Sequence, residues 1–151
     1  MKITLLIVFI LITRVTLAQN FSEFEKIHQI ADSIWTNVRI HGPHYDGADR
    51  SITYHRIDEN NYIREEDIIV NDTIREYCYW YVFRGEPILF KKREVINYKL
   101  NFDILYFISN KKVIGLQLQC IGYFSGEKIL EIEKSVEQEL IKKNWTFRGA
   151  G

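Results

Sequence analysis

Between residues 50 and 123, apolar and polar residues alternate with a period of two, as in strands that bury one face of a sheet. The clearest case is I114-G-L-Q-L-Q-C120, where every second residue is apolar. Short turns rich in Asn, Gly and Lys separate such segments, and short turns join antiparallel neighbours because a parallel pair needs a long crossover. The pattern predicts a meander of five or six antiparallel strands, drawn from the segments 51–57, 61–70, 74–84, 87–96, 102–109 and 112–122.

On both sides of this region, apolar residues recur every three or four positions, as in amphipathic helices. Ser22 and Glu25 fit a capping box for a first helix over residues 20–38, which ends before Pro43. Ser125 fits the N-cap of a C-terminal helix. The order helix, sheet, helix predicts an α+β fold with two layers, in which both helices cover one face of the sheet.

The first eighteen residues have the layout of a cleaved secretory signal. Lys2 precedes the apolar run Leu5 to Ile12, and small residues stand where a signal peptidase reads, up to Ala18. The run is shorter than the roughly 20 apolar residues of a spanning helix, and Arg14 interrupts it. We expect cleavage after Ala18, which leaves a single domain, residues 19–151, in a secreted or periplasmic location and not spanning the membrane.

The composition of the remaining chain excludes some classes of function. Apolar residues make up 46% and aromatic residues 14% of the sequence, which argues against intrinsic disorder. Without the two basic residues of the signal segment, 18 basic and 20 acidic residues remain, and the net charge is near −2. This balance gives no general attraction to nucleic acid. No G-x-S-x-G, Walker, H-E-x-x-H or C-x-x-C motif occurs, so we expect no cofactor and assign no catalytic residue.

The segment Y77-C-Y-W-Y-V-F83 is the strongest candidate for a binding surface. Alternation sends the odd-numbered residues to one face of the sheet and the even-numbered residues to the other. Tyrosine is enriched at protein interfaces because it combines rigid apolar area with a polar tip. The predicted ligand-binding residues are therefore Tyr77, Tyr79, Tyr81 and Phe83. If this row is instead the core, the opposite face, with Cys78, Trp80 and Val82, becomes the candidate surface.

Two further groups of residues suggest chemistry. The segment H41-G-P-H-Y-D-G-A-D49 contains ligands suited to a divalent metal, namely His41, His44, Asp46 and Asp49. The same residues are ordinary in a connecting loop, so a plain connector is the alternative. Cys78 and Cys120 permit one disulfide in an exported protein if they are neighbours in the sheet or across it; otherwise they are two buried thiols.

Two aromatic hairpins, Y79-W-Y-V-F-R-G-E-P-I-L-F90 and L105-Y-F-I-S-N-K-K-V-I114, resemble a theme of small exported bacterial proteins of Bacteroidetes-type genomes. In that family, strands with a Y-x-F-x-(N/D)-G-K-L-I hairpin lie between an N-terminal and a C-terminal helix. The resemblance spans about residues 21–143 and implies an exported α+β domain without catalytic residues. This chain departs from the pattern at Glu86-Pro87 and at Asn110-Lys111, which lacks the glycine.

The sequence thus favours a small exported binding module. Its aromatic sheet face would contact an envelope or extracellular protein, a peptide or a polymer. The alternatives are a metal-dependent enzyme built on the His/Asp loop and a self-associating structural protein.

Overall fold

The computed structural model describes residues 22–45, 47–122, 124–142 and 145, with side chains left out for residues 41–45. The predicted signal segment and its cleavage site lie outside these residues, as does Asp46. In the described part of the chain, no helix has the length and apolar character needed to cross a membrane.

In the described part of the chain, two helices and seven strands follow one another. They are α1 (22–37), β1 (Arg39–Tyr45), β2 (Arg50–Arg56), β3 (Tyr62–Ile69), β4 (Ile74–Phe83), β5 (Glu86–Ile96), β6 (Lys99–Ser109), β7 (Lys112–Cys120) and α2 (Gly126–Lys142). The strands form one sheet in the order β1 to β7, and all neighbours are antiparallel. The predicted α+β class is confirmed.

The described residues form seven strands rather than the predicted five or six. The additional strand is β1, which the sequence analysis interpreted as a connector because it contains Gly42 and Pro43. A proline is tolerated there because β1 is an edge strand, and its register shifts between His41 and His44.

The two helices pack on opposite faces of the sheet, so the prediction of two layers is wrong. Trp80 belongs to a core shared with Val136 of α2. The next residue along the strand, Tyr81, packs against a second core that contains Ala31 of α1. Successive side chains of a strand point to opposite faces, so the sheet lies between the helices. We call its sides the α1 face and the α2 face.

The α2 face carries the larger core. Tyr106 is fully buried, and its hydroxyl donates a hydrogen bond to the Ile129 carbonyl at 2.9 Å, which ties α2 to β6. The Tyr62 hydroxyl likewise donates to the Trp145 carbonyl at 2.7 Å. The ring of Trp145 lies 4.7 Å from that of Trp80. Trp145 therefore lies over β3 and β4 on the α2 face.

Helix α1 crosses the strands along one row of paired residues. At one end, Phe24 stacks on Phe107 of β6 with ring centroids 4.6 Å apart. At the other end, Trp35 lies 5.5 Å from His55 of β2. Strand pairing places six residues in one row beneath the helix, one from each strand from β7 to β2. They are Gly115, Phe107, Leu89, Tyr81, Ile63 and His55. The helix therefore covers one stripe of the α1 face and leaves the adjoining stripes uncovered by any described helix.

Candidate functional site

The predicted tyrosine row lies on the α1 face, and α1 divides it. Tyr81 packs against the core beneath the helix. Phe83 lies beyond one side of the helix, where it lines a cavity of about 440 Å³ together with α1 residues such as Ile30 and Ile34. Tyr77 and Tyr79 lie beyond the other side and remain half-buried.

The opposite face of β4 is core. Cys78, Trp80 and Val82 are all buried in the cluster shared with α2. This decides the alternative left open by the sequence: the even-numbered residues of β4 do not form the accessible surface. Of the four predicted ligand-binding residues, Tyr77 and Tyr79 stay accessible, whereas Tyr81 has a packing role.

Two rows of paired residues run through these tyrosines. Tyr79 pairs with Glu65 on one side and Lys91 on the other. Directly paired residues share a face, so basic residues of β5 and acidic residues of β3 flank the tyrosines of β4. We name this surface the tyrosine shelf; its members are Glu65, Asp67, Tyr77, Tyr79, Lys91 and Arg93.

The basic side of the shelf is held in place by a buried carboxylate. Asp103 of β6 is 6% exposed, and its Oδ2 accepts from Arg93 at 2.9 Å and lies 3.2 Å from the Lys91 ammonium. The hydrogen bond to Asp103 raises the pKa of the Arg93 guanidinium. Asp103 Oδ1 and Arg93 Nε are buried and make no hydrogen bond within the described part of the chain. Such anchoring presents the two cations at fixed positions.

The acidic side is anchored by a hydrogen-bonded series. The Glu65 carboxylate lies 2.6 Å from His55 Nε2 and also accepts from the Tyr79 hydroxyl. Burial, helped by the negative charge of Glu65, raises the pKa of Tyr79, which therefore stays protonated and donates. Trp35, which lies beside His55, is 51% exposed and forms part of the border of the shelf.

Sequence reasoning identified the tyrosines but missed their charged neighbours. Glu65, Lys91 and Arg93 become visible only once strand register is known, because each lies in a different strand from the tyrosines. The basic triplet Lys91-Lys92-Arg93 is divided between the faces: Lys92 lies on the α2 face and bonds Glu76 at 2.7 Å.

The residues of the predicted metal site are only partly described. The backbones of His41 and His44 lie in β1, opposite Tyr54 and Ile52. Asp49 is exposed and its carbonyl accepts from the Ile69 amide at 2.8 Å. Among the described residues, no group of three or more potential ligands could hold a metal ion. The ligand set stays a prediction, since Asp46 and the histidine side chains are outside the described part.

The two cysteines are free thiols in the structure, so the possible disulfide is not formed. Cys78 is buried in β4, whereas Cys120 is exposed in β7. Strands β5 and β6 separate them by roughly 14 Å, at about 4.8 Å per strand spacing, which no disulfide spans. Burial raises the pKa of the Cys78 thiol to about 12, and such a thiol is inert.

A second concavity, of about 370 Å³, lies between α2 and the α2 face of strands β2 to β5. Its charged side chains neutralise one another. The ion pairs in and around it are Arg50–Glu66, Arg64–Glu66 at 2.6 Å, Lys92–Glu76 at 2.7 Å and Lys128–Glu94 at 2.8 Å. Because these groups already satisfy each other, the cleft offers a ligand less unpaired charge than its composition suggests.

Comparison of the chain with family models, characterised proteins and solved structures finds no match. The resemblance to exported bacterial proteins therefore stays a prediction, and function has to be argued from the surfaces themselves.

Proposed function

We propose that this protein is a small binding module whose tyrosine shelf contacts a polypeptide partner. The observation that supports this best is the position of Tyr77 and Tyr79. They are half-exposed on a central strand, beyond the edge of α1, between a basic and an acidic strip. Tyrosine and arginine are the residues that most often carry binding energy at protein interfaces.

The shelf is rigid enough to bind without a large entropic cost. Strand β4 is the fourth of seven and is paired along its length on both sides. Asp103 holds the basic side chains and Glu65 holds Tyr79. Groups ordered before binding lose less freedom on association, and more of the contact energy then appears as affinity.

The distribution of charge favours a polypeptide over the other partners that the sequence leaves open. Lys91 and Arg93 lie on one side of the tyrosines, and Glu65 and Asp67 lie on the other. A nucleic acid would meet the acidic strip unfavourably, and a neutral polymer would gain nothing from either strip. A peptide with basic and acidic side chains on one face complements both. If the chain is exported as predicted, the partner is an envelope or extracellular protein.

The test is selection from a random peptide display library against the wild-type protein. Affinities of the selected peptides are then measured by fluorescence anisotropy for the wild type and for Tyr77→Ala/Tyr79→Ala. We expect the double variant to lose at least about tenfold in affinity, since one interface tyrosine is commonly worth about 2 kcal/mol. The control is Leu130→Ala, which truncates an exposed side chain of α2, on the other side of the sheet.

Two results of this experiment would contradict the proposal. A library that yields no binder speaks against a peptide-binding shelf. Peptides that bind the double variant as tightly as the wild type bind elsewhere, and the tyrosines then have only a structural role. Circular dichroism of the double variant confirms that any loss of affinity is not a loss of fold.

A further inference from the structure

The two edges of the sheet differ in how they are protected against pairing with another strand. Edge strands present unpaired backbone groups, and natural proteins block them with proline, bulges or charge. Strand β1 has Pro43 and a register shift between His41 and His44. Strand β7 has a bulge at Ile114, but the segment after it, residues 115–120, contains no proline, no further register shift and no charged residue. Nothing in this segment blocks a further strand.

The backbone groups that β7 turns outward can be assigned from one hydrogen bond. The Ile121 amide donates to the Asn101 carbonyl of the strand before it at 3.0 Å. In an antiparallel pair, alternate residues bond to the same neighbour, so residues 117, 119 and 121 bond toward β6. The amides and carbonyls of Leu116, Leu118 and Cys120 then point away from the sheet.

We propose that two copies of this protein pair through β7, antiparallel, about a two-fold axis centred on Leu118. Leu118 of one copy lies opposite Leu118 of the other, and Leu116 lies opposite Cys120. These are the three residues whose backbone groups point outward, so each pair exchanges two hydrogen bonds. The two seven-stranded sheets become one continuous sheet.

The residues at the two ends of the paired segment favour this register. It sets Ile121 of one copy opposite Gly115 of the other. Ile121 is 70% exposed, and Gly115 adjoins an apolar groove of about 350 Å³ lined in part by Phe24 and Phe107. An exposed isoleucine and an apolar groove on the same chain thus meet across the axis, and the two-fold makes the contact twice.

A shift of the axis loses this contact. Centring the pair on Leu116 would place Ile121 opposite Lys111, in the β6–β7 turn. In the proposed register the remaining residues of the α1 face, Gln117 and Gln119, lie opposite each other and carry no charge. The strand is therefore complementary to its own copy, with apolar residues meeting apolar residues and amides meeting amides. The dimer is independent of the tyrosine shelf, which lies on β3 to β5.

Charge-swapped variants at two exposed positions test the pairing. Gln117→Glu/Gln119→Glu sets carboxylates opposite carboxylates, and Gln117→Lys/Gln119→Lys does the same with ammonium groups; like charges directly opposite are destabilising. Sedimentation equilibrium should show a dimer for the wild type, a monomer for each variant alone, and a heterodimer when the two variants are mixed. The control, Gln29→Glu/Val70→Glu, adds two carboxylates at exposed positions away from β7 and should remain dimeric.

Cross-linking tests the register. Leu116→Cys should form an intermolecular disulfide with Cys120 of the other copy under mild oxidation, and Leu118→Cys should link to itself when Cys120 is replaced by serine. A wild-type protein that stays monomeric up to its solubility limit refutes the proposal, as does a dimer that persists in the Glu/Glu variant. A dimer without either cross-link refutes the register.

Discussion

Replacing Gly115 by alanine should destabilise the protein, although alanine is normally the better residue in a strand. A Cβ atom at this position would overlap the Phe24 ring, coming against Cζ and to 3.1 and 3.2 Å from the two Cε atoms. The ring cannot withdraw freely because it is stacked on Phe107, with centroids 4.6 Å apart and planes at 24°. The methyl group can therefore be accommodated only if the helix or the edge strand moves.

The size of the effect follows from two opposing terms. Removing glycine from a strand interior is worth about 0.5–1 kcal/mol in favour of the folded state. Forcing one extra carbon into a packed contact costs about 1–3 kcal/mol. The overlap involves the outer edge of a rigid ring that is stacked on Phe107 rather than the end of a flexible chain, so we take the upper part of that range. The net expectation is a loss of about 1–2 kcal/mol.

Urea unfolding followed by tryptophan fluorescence measures this difference, and an unchanged m-value would confirm that only stability has changed. In a Phe24→Ala background the overlap disappears, and Gly115→Ala should then stabilise the protein by about 0.5 kcal/mol. The matched control is Gly126→Ala, where a Cβ meets nothing within 4 Å; it should be neutral or stabilising by up to about 1 kcal/mol. A Gly115→Ala protein as stable as the wild type, or a cost that survives in the Phe24→Ala background, would show that overlap with the Phe24 ring does not limit stability.

Three further measurements probe the interior. A thiol reagent at about pH 8 should modify the exposed Cys120 quickly and the buried Cys78 only on unfolding; two fast thiols, or none, would contradict the assignment. Burial raises the pKa of Tyr62 and of Tyr81 from 10.0 to about 12, so the folded protein keeps protons that the unfolded chain loses. Their contribution to stability is complete below pH 10 and is lost as the pH rises to about 12; urea midpoints that stay constant over this range would be evidence against it. Tyr106→Phe removes the hydrogen bond to α2 and should cost about 1 kcal/mol of unfolding free energy; a midpoint equal to that of the wild type would show that the bond contributes nothing.

Local patterns in the sequence were sufficient to predict much of the fold. The turn at Asn110 and Lys111 was predicted without a glycine, and both residues adopt positive φ, at 51° and 60°, as a tight hairpin requires. The turn depends on neighbours in the chain, which the sequence shows directly. The alternation in β7 was predicted only in part: Leu118 packs toward the α2 core as expected, but Ile114 packs with Gly115 on the α1 face, because a register shift adds a residue to β7 at this point.

The assignment of the faces could not be made in the same way. In C78-Y-W-Y-V-F83, both the odd and the even positions are apolar, which is typical of a strand covered on both sides; the tyrosine hydroxyls conceal that pattern. The charged members of the shelf depend on register across several strands. Register shifts interrupt it at Tyr81/Val82, at Glu94/Val95 and at Phe107/Ile108. A shift of one residue reverses every side chain beyond it, so the neighbours of the tyrosines could not be derived without the fold.

An uncovered surface on the α1 face is a geometric consequence of one helix lying across long strands. Helix α1, at 1.5 Å per residue, is about 24 Å long and so spans about five strands, but its diameter with side chains is only about 10 Å. Strand β4 has ten residues and is about 33 Å long. Some of each strand must therefore remain outside the helix. If that remainder were apolar, it would indicate a missing layer of the core.

The remainder is instead occupied by anchored charges and tyrosines, which are compatible with water. The two faces differ in how they accommodate the strand surface that no described helix covers. On the α2 face, the surplus surface folds into a cleft whose arginines, lysines and glutamates are paired with one another. On the α1 face, the pairing groups lie to either side and leave Tyr77 and Tyr79 between them without a helix above. Among the described residues, the α1 face thus presents rigid aromatic area that a partner can reach without breaking an ion pair, and this is why we propose the binding function there.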